Sequence, residues 1–170
     1  MKRSISFLTF AAAGAATASP AFAADLKVSY VVPKITVAEY HAPYVAVWIE
    51  NPADASGVGT LSVRYKPNHD KWLKDMRLWW RKTGRSMTLP ADGVSGATRA
   101  PGVQQVVFSG SNGVLKELKP GQYTLVVEAA REAGGYEAVR VPFTWSKPGK
   151  AASAKGSSEL GLVTVAVAVQ

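Results

Sequence analysis

The stretch Asp92-Gly93-Val94-Ser95-Gly96-Ala97-Thr98, followed by Arg99-Ala100-Pro101-Gly102, offers two hydroxyls among small residues. A threonine or serine hydroxyl is a poor nucleophile at neutral pH until a base or a metal activates it. A protein that is the target of a modifying enzyme can leave that activation to the enzyme. What it supplies is access: Ser95, Gly96 and Ala97 carry little side chain, and Gly96 can take backbone angles closed to other residues. Asp92-Gly93 and Pro101-Gly102 are turn pairs that bound the stretch. The plain alternative is a connection between two strands.

The same residues resemble the acceptor motif of periplasmic flavin transferases, D-x-x-S/T-G-A-S/T, whose last hydroxyl residue receives FMN through a phosphoester bond. The resemblance implies Thr98 as the attachment residue, with Asp92, Ser95, Gly96 and Ala97 completing the motif. Arg99 places a cation beside the phosphate that Thr98 would carry.

Familiar catalytic constellations are missing from the rest of the chain. There is no glycine-rich phosphate loop opening a helix, no nucleophile elbow and no HExxH. The carboxylates are scattered singly, which gives no glycosidase-type pair. His41 and His69 have no metal-ligand spacing and read as ordinary surface or strand-end residues. The absence of cysteine excludes disulfides and thiolate metal sites.

The elements that must position the acceptor stretch are mostly β. Apolar or alternating runs recur at Leu26 to Val32, Ile35 to Tyr40, Tyr44 to Glu50, Thr60 to Tyr65, Val103 to Phe108, Tyr123 to Glu128, Ala138 to Trp145 and Leu160 to Val169. Turn signals such as Asn51-Pro52, Pro120-Gly121 and Gly134-Gly135 separate them. About seven to eight strands at this spacing predict an all-β, Ig-like or fibronectin-like β-sandwich. One segment breaks the pattern: Trp72, Leu73, Met76, Trp79 and Trp80 recur on one helix face from Asp70 to about Lys82, with Gly84 as the stop. Lys147 to Ser158, rich in Gly, Ser, Ala and Lys, reads as a flexible surface loop.

The amino end is a secretory signal. Met1-Lys2-Arg3 precedes an apolar run from Ile5 to about Ala18, and Ala21-Phe22-Ala23 offers small residues for cleavage. Residues 1 to 23 hold no acid, so their removal near Ala23 takes the formal charge from +8 to +6. The remaining residues 24–170 are enough for one core and one domain. They are expected in the periplasm, with no transmembrane segment in the mature chain.

Between Arg64 and Arg85 lie Arg64, Lys66, Lys71, Lys74, Arg77, Arg81, Lys82 and Arg85 against Asp70 and Asp75. The solvent face of the helical segment is therefore positive. An exported chain without a nucleic-acid module argues against nucleic acid as the partner. Two readings remain: a solvated face over a tryptophan-rich core, or a site in which Trp79 or Trp80 approaches the isoalloxazine while Arg81 or Arg85 faces its phosphate.

His41-Ala42-Pro43-Tyr44-Val45-Ala46-Val47-Trp48-Ile49-Glu50, Lys71-Trp72-Leu73, Trp79-Trp80-Arg81, the Asp92 to Gly102 stretch and Pro120-Gly121-Gln122-Tyr123-Thr124 together resemble domain-of-unknown-function family twenty-two seventy-one, of predicted periplasmic proteins. That resemblance implies a PepSY-type membrane redox protein and a periplasmic flavin transferase as partners. Val103 to Glu128 is also similar to the Ig-like module of flagellar hook-capping proteins, with Ser109-Gly110-Ser111-Asn112-Gly113 in place of the usual Trp-Asp-Gly turn. The expected function is a flavinylated electron-transfer protein or redox accessory subunit carrying FMN on Thr98, without independent catalysis. The rival is a non-redox Ig-like interaction or assembly module.

Overall fold

The computed structural model describes residues 24–145 and 148–169; the expected signal, 1–23, lies outside them. The described residues form nine strands in two sheets: β1 Ala24–Val32, β2 Tyr44–Glu50, β3 Gly57–Arg64, β4 Ser95–Gly96, β5 Gly102–Ser109, β6 Gly121–Ala130, β7 Tyr136–Trp145, β8 Ala152–Lys155 and β9 Leu162–Val169. One sheet runs β5-β1-β9-β8 and the other β4-β3-β2-β6-β7. All neighbours are antiparallel except β3 and β4, which are parallel. The two sheets pack as a β-sandwich.

Period-two alternation explains the core. Leu26, Val28 and Tyr30 of β1 and Val163, Val165 and Val167 of β9 face Val45, Val47 and Ile49 of β2 and Leu125 and Val127 of β6. The other face of the second sheet is buried as well. Ala46, Trp48, Val63 and Val126 lie there under Leu73, Met76 and Trp79 of the helical segment. β2 is consequently the wall between two apolar clusters, and all seven of its residues are buried.

The helical segment presents the expected face but is not one helix. A 3-10 turn, Asp70–Asp75, is followed by α1, Arg77–Lys82, and a further 3-10 turn, Gly84–Ser86. Met76 breaks it with φ −77 and ψ 74. The cause is Glu128 on β6, whose carboxylate accepts the N–H of Leu78 at 2.9 Å and of Trp79 at 2.7 Å. In a continuous helix those donors would bond the carbonyls of Lys74 and Asp75.

Two further expectations are corrected. Ile35 to Tyr40 is not a strand. It is the connection from one sheet to the other, bracketed by Pro33 and Pro43, with Val37 and Tyr40 exposed, so its alternation has no sheet to face. The stretch Lys147 to Ser158 is not all loop, because Ala152–Lys155 forms β8 on the edge of β9, with Ala152 and Ala154 turned to the core. Its end is held by Glu137, whose carboxylate accepts the N–H groups of Ser157, Ser158 and Leu160. The connection after β5 carries a short helix, α2 Gly113–Glu117, whose Leu115 is buried in the sandwich.

Candidate functional site

The acceptor stretch is built onto a sheet edge. Val63 N–H donates to Val94 O at 2.9 Å and Tyr65 N–H to Gly96 O at 3.0 Å, which makes Ser95–Gly96 the edge strand β4 beside β3. Asp92-Gly93 forms the turn that enters it, with Gly93 at φ 72, a conformation open to glycine. Ala91 O receives Val94 and Ser95 N–H, and the Ser95 hydroxyl accepts Ala91 N–H at 3.0 Å. Ser95 thus locks the turn, which leaves Thr98 as the hydroxyl on the far side of β4.

Thr98 is partly exposed, between exposed Ala97 and exposed Arg99. Residues 97 to 101 carry the chain from the edge of one sheet to β5 at the edge of the other. Gln104 of β5 fastens this crossing by donating its side-chain N–H to Ala100 O at 3.0 Å. Grooves flank the stretch. One, of about 390 Å³, lies between Asp92, Gly93 and Val94 and the apolar side chains of Val107, Phe108 and Val114. The other, of about 270 Å³, lies between Ser95, Gly96 and Ala97 and Tyr65, Pro67 and Pro90. Both sit near the small end of ligand-site volumes.

Gly96 has a role the sequence did not show. A Cβ there would lie 1.8 Å from Nη1 of Arg64, so the Arg64 guanidinium lies against the backbone of β4. Arg64 is on β3, and at Val45 its register faces the interior of the sandwich. From β1, Tyr30 enters the same interior and is only 1% exposed. Its hydroxyl makes no hydrogen bond among the described residues. Burial raises the Tyr30 pKa, and the guanidinium groups of Arg64 and Arg99 draw it back down. Neither arginine is in a salt bridge among the described residues.

The tryptophans and arginines of the helical segment separate into two groups. Trp79 is fully buried, donates its indole N–H to Thr60 Oγ1 at 2.9 Å, and offers no face to a ligand. Trp80 is half-buried with its ring centroid 6.1 Å from that of Trp79, while Arg81 and Arg85 are exposed. Lys82 is committed to Glu50 at 2.6 Å, and Arg140 holds the same carboxylate at 2.9 Å. Burial pushes Glu50 up, but these two cations outweigh it and hold its pKa below the usual carboxylate value.

His41 lies beside two carboxylates, Glu39 at 3.2 Å and Glu132 at 3.7 Å. Among the described residues no group of three His, Asp or Glu could hold a metal ion, and no helix is long and apolar enough to cross a membrane.

The charge is unevenly placed. Residues 64–99 hold nine basic and three acidic side chains, whereas 24–63 and 100–170 together hold nine of each. The excess lies in residues 64–85, with eight basic and two acidic side chains, while residues 86–99 hold one of each.

A family model described as "Predicted periplasmic protein (DUF2271)" matches residues 25–162. The chain belongs to this family. The match takes in both sheets up to the start of β9, the helical segment and the whole acceptor stretch. Family members are described as predicted periplasmic proteins of unknown function, which places this chain among them without assigning it a reaction. Neither curated proteins nor solved structures give a match.

Proposed function

We propose that this protein is an exported electron carrier that holds FMN through a phosphodiester on Thr98. The observation that carries the reading is the placement of the motif: the stretch D-x-x-S-G-A-T is an ordered sheet edge whose last hydroxyl is left free of the turn that Ser95 locks. An edge strand with small side chains is open to the cleft of a modifying enzyme along its whole length.

In the attachment step Thr98 Oγ1 attacks the FMN-side phosphorus of FAD, the P–O bond to AMP breaks, and a base of the flavin transferase takes the threonine proton. Bound flavin supplies one- and two-electron chemistry, and a covalent link keeps it from diffusing away outside the cytoplasm. The chain's own residues fit this group in three respects. Thr98 is accessible, cationic Arg99 and Arg64 stand nearby, and Val107, Phe108 and Val114 give an apolar wall beside the stretch. In the same reading the signal is cleaved near Ala23, the mature chain works in the periplasm, and a PepSY-type membrane protein exchanges electrons with it.

The test is intact mass. Co-production with an active periplasmic flavin transferase and FAD adds one FMN less water to the mature chain, and Thr98→Ala abolishes the addition. An unmodified mass with the transferase active overturns the reading.

A further inference from the structure

We propose that the free edge of β5 is a self-association surface, on which a second copy of this chain pairs its own β5 antiparallel about a two-fold axis at Gln105. This pairing does not depend on the function proposed above.

The four sheet edges differ in how they are protected. β5 and β8 end one sheet, and β4 and β7 end the other. An open edge offers unpaired N–H and C=O groups to any passing strand, and proteins blunt it with short strands, charges or proline. β4 has two residues, and β8 has four, among them Lys155. β7 carries Glu137, Arg140 and Pro142. β5 has none of these protections. Its eight residues, Gly102–Ser109, hold no charge and no proline, and they pair with β1 at every position without a register shift. No strand lies along its other edge among the described residues. A row of backbone donors and acceptors is matched by another extended chain, which makes the occupant a strand.

The side chains identify that strand. Val103 is 61% and Val107 58% exposed, both on the outer face of the sheet, and they stand two positions either side of Gln105. Residues opposite one another in an antiparallel pair share a face. A two-fold axis at Gln105 therefore sets Val103 of each copy against Val107 of the other on the outer face, and Gln104 against Val106 on the inner one. Both exposed valines gain an apolar cross-strand partner, the contact that stabilises a sheet. An axis between Gln105 and Val106 would set outward residues against inward ones, which the pleat does not allow. Axes at Gln104 or Val106 keep the faces but give no valine a valine partner.

Charge does not oppose the pairing. The mature chain carries +6, but the excess lies in residues 64–85, on and around the helical segment that covers the other sheet. The β1 residues beside the outer face of β5, Lys27, Ser29 and Val31, include one cation. One strand pair makes a small interface, so the dimer exchanges with monomer.

The test is sedimentation velocity of the unmodified mature protein over a wide concentration series. Wild type moves from monomer to dimer as concentration rises. Val103→Lys with Val107→Lys sets like charges opposite one another twice and weakens association about tenfold or more. Val103→Lys with Val107→Glu restores it to within a few-fold, because each lysine then meets a glutamate of the other copy. Within one strand the two positions stand about 13 Å apart and do not pair. Both side chains are exposed, so the fold tolerates the changes, and circular dichroism checks it. The chain has no cysteine, so Gln105→Cys tests the axis directly: mild oxidation joins two copies through identical positions. Val103→Cys, whose copies lie far apart across the same axis, does not cross-link. A monomer at every concentration leaves the edge to a strand of another protein and overturns self-association. A dimer indifferent to the lysine pair, a Lys–Glu variant no better than the Lys–Lys one, or equal cross-linking of the two cysteine variants overturns it as well.

Discussion

The carboxylate of Glu128 receives the backbone N–H of Trp79 at 2.7 Å, so the first turn of α1 is capped from the sheet beneath it. The same carboxylate takes the N–H of Leu78, and Glu128 is completely buried. Burial raises its pKa, while the two N–H donors, the Tyr136 hydroxyl beside it and Arg140 act to lower it, and burial prevails.

Replacing Glu128 by Ala orphans both donors inside the apolar cluster. Each unsatisfied buried N–H costs roughly 1 to 3 kcal/mol, and relief of the buried carboxyl offsets part of that, so the expected loss is about 2 to 4 kcal/mol. Chemical denaturation of the mature protein checks it. A loss under about 1 kcal/mol would mean that α1 does not depend on its cap.

Trp79→Ala removes the largest side chain between α1 and the sheet, and it frees Thr60 Oγ1 from its indole donor. The expected cost is about 3 to 5 kcal/mol. Arg81→Gln with Arg85→Gln changes stability by less than about 0.5 kcal/mol, because both are exposed. Equal costs in the two experiments would place the tryptophan at the surface instead.

Acid weakens the fold through Glu137 and Glu50. Burial pushes Glu137 up, but the N–H groups of Ser157, Leu160 and Ser158 and the Ser157 hydroxyl outweigh it and hold its pKa down at about 2. A carboxyl depressed in the folded state adds stability that is fully present above its unfolded pKa, about 4.3, and is lost as pH falls through the folded value. Melting temperature therefore drops between about pH 5 and pH 2. Glu137→Gln is less stable at neutral pH and shows a shallower drop. An unchanged acid limb in that variant refutes the assignment.

Amino-terminal sequencing of exported protein begins at or next to Ala24. A chain that retains Met1 at the membrane carries an anchor in place of a signal.

Most strands were legible because a half-buried strand must alternate, as Leu26 to Tyr30 and Val139 to Trp145 do. The same rule misled at Ile35 to Tyr40, where alternation exists but Pro33 and Pro43 enclose a connection. It was silent at Ala152–Lys155, whose residues are too small or polar to signal a strand. The face of the helical segment was readable from its spacing. Its break was not, since the cause, Glu128, lies 49 residues from Trp79. At the site the local motif could be read directly. The approach of Arg64 could not, because only the pairing of β4 with β3, 32 positions apart in sequence at Arg64 and Gly96, lays its guanidinium against that glycine.

The nine-to-three excess of basic groups in residues 64–99, against an even balance elsewhere, gives the molecule a permanent electric dipole with its positive end at the helical segment. Before any contact, an anionic neighbour exerts a torque on such a molecule and turns that end toward itself. Alignment of this kind raises the fraction of encounters that begin in one orientation without tightening the final complex. Its reach is about one Debye length, roughly 8 Å in physiological salt and about 30 Å in 0.01 M medium, so the molecule's bias in approach is set by the ionic strength around it.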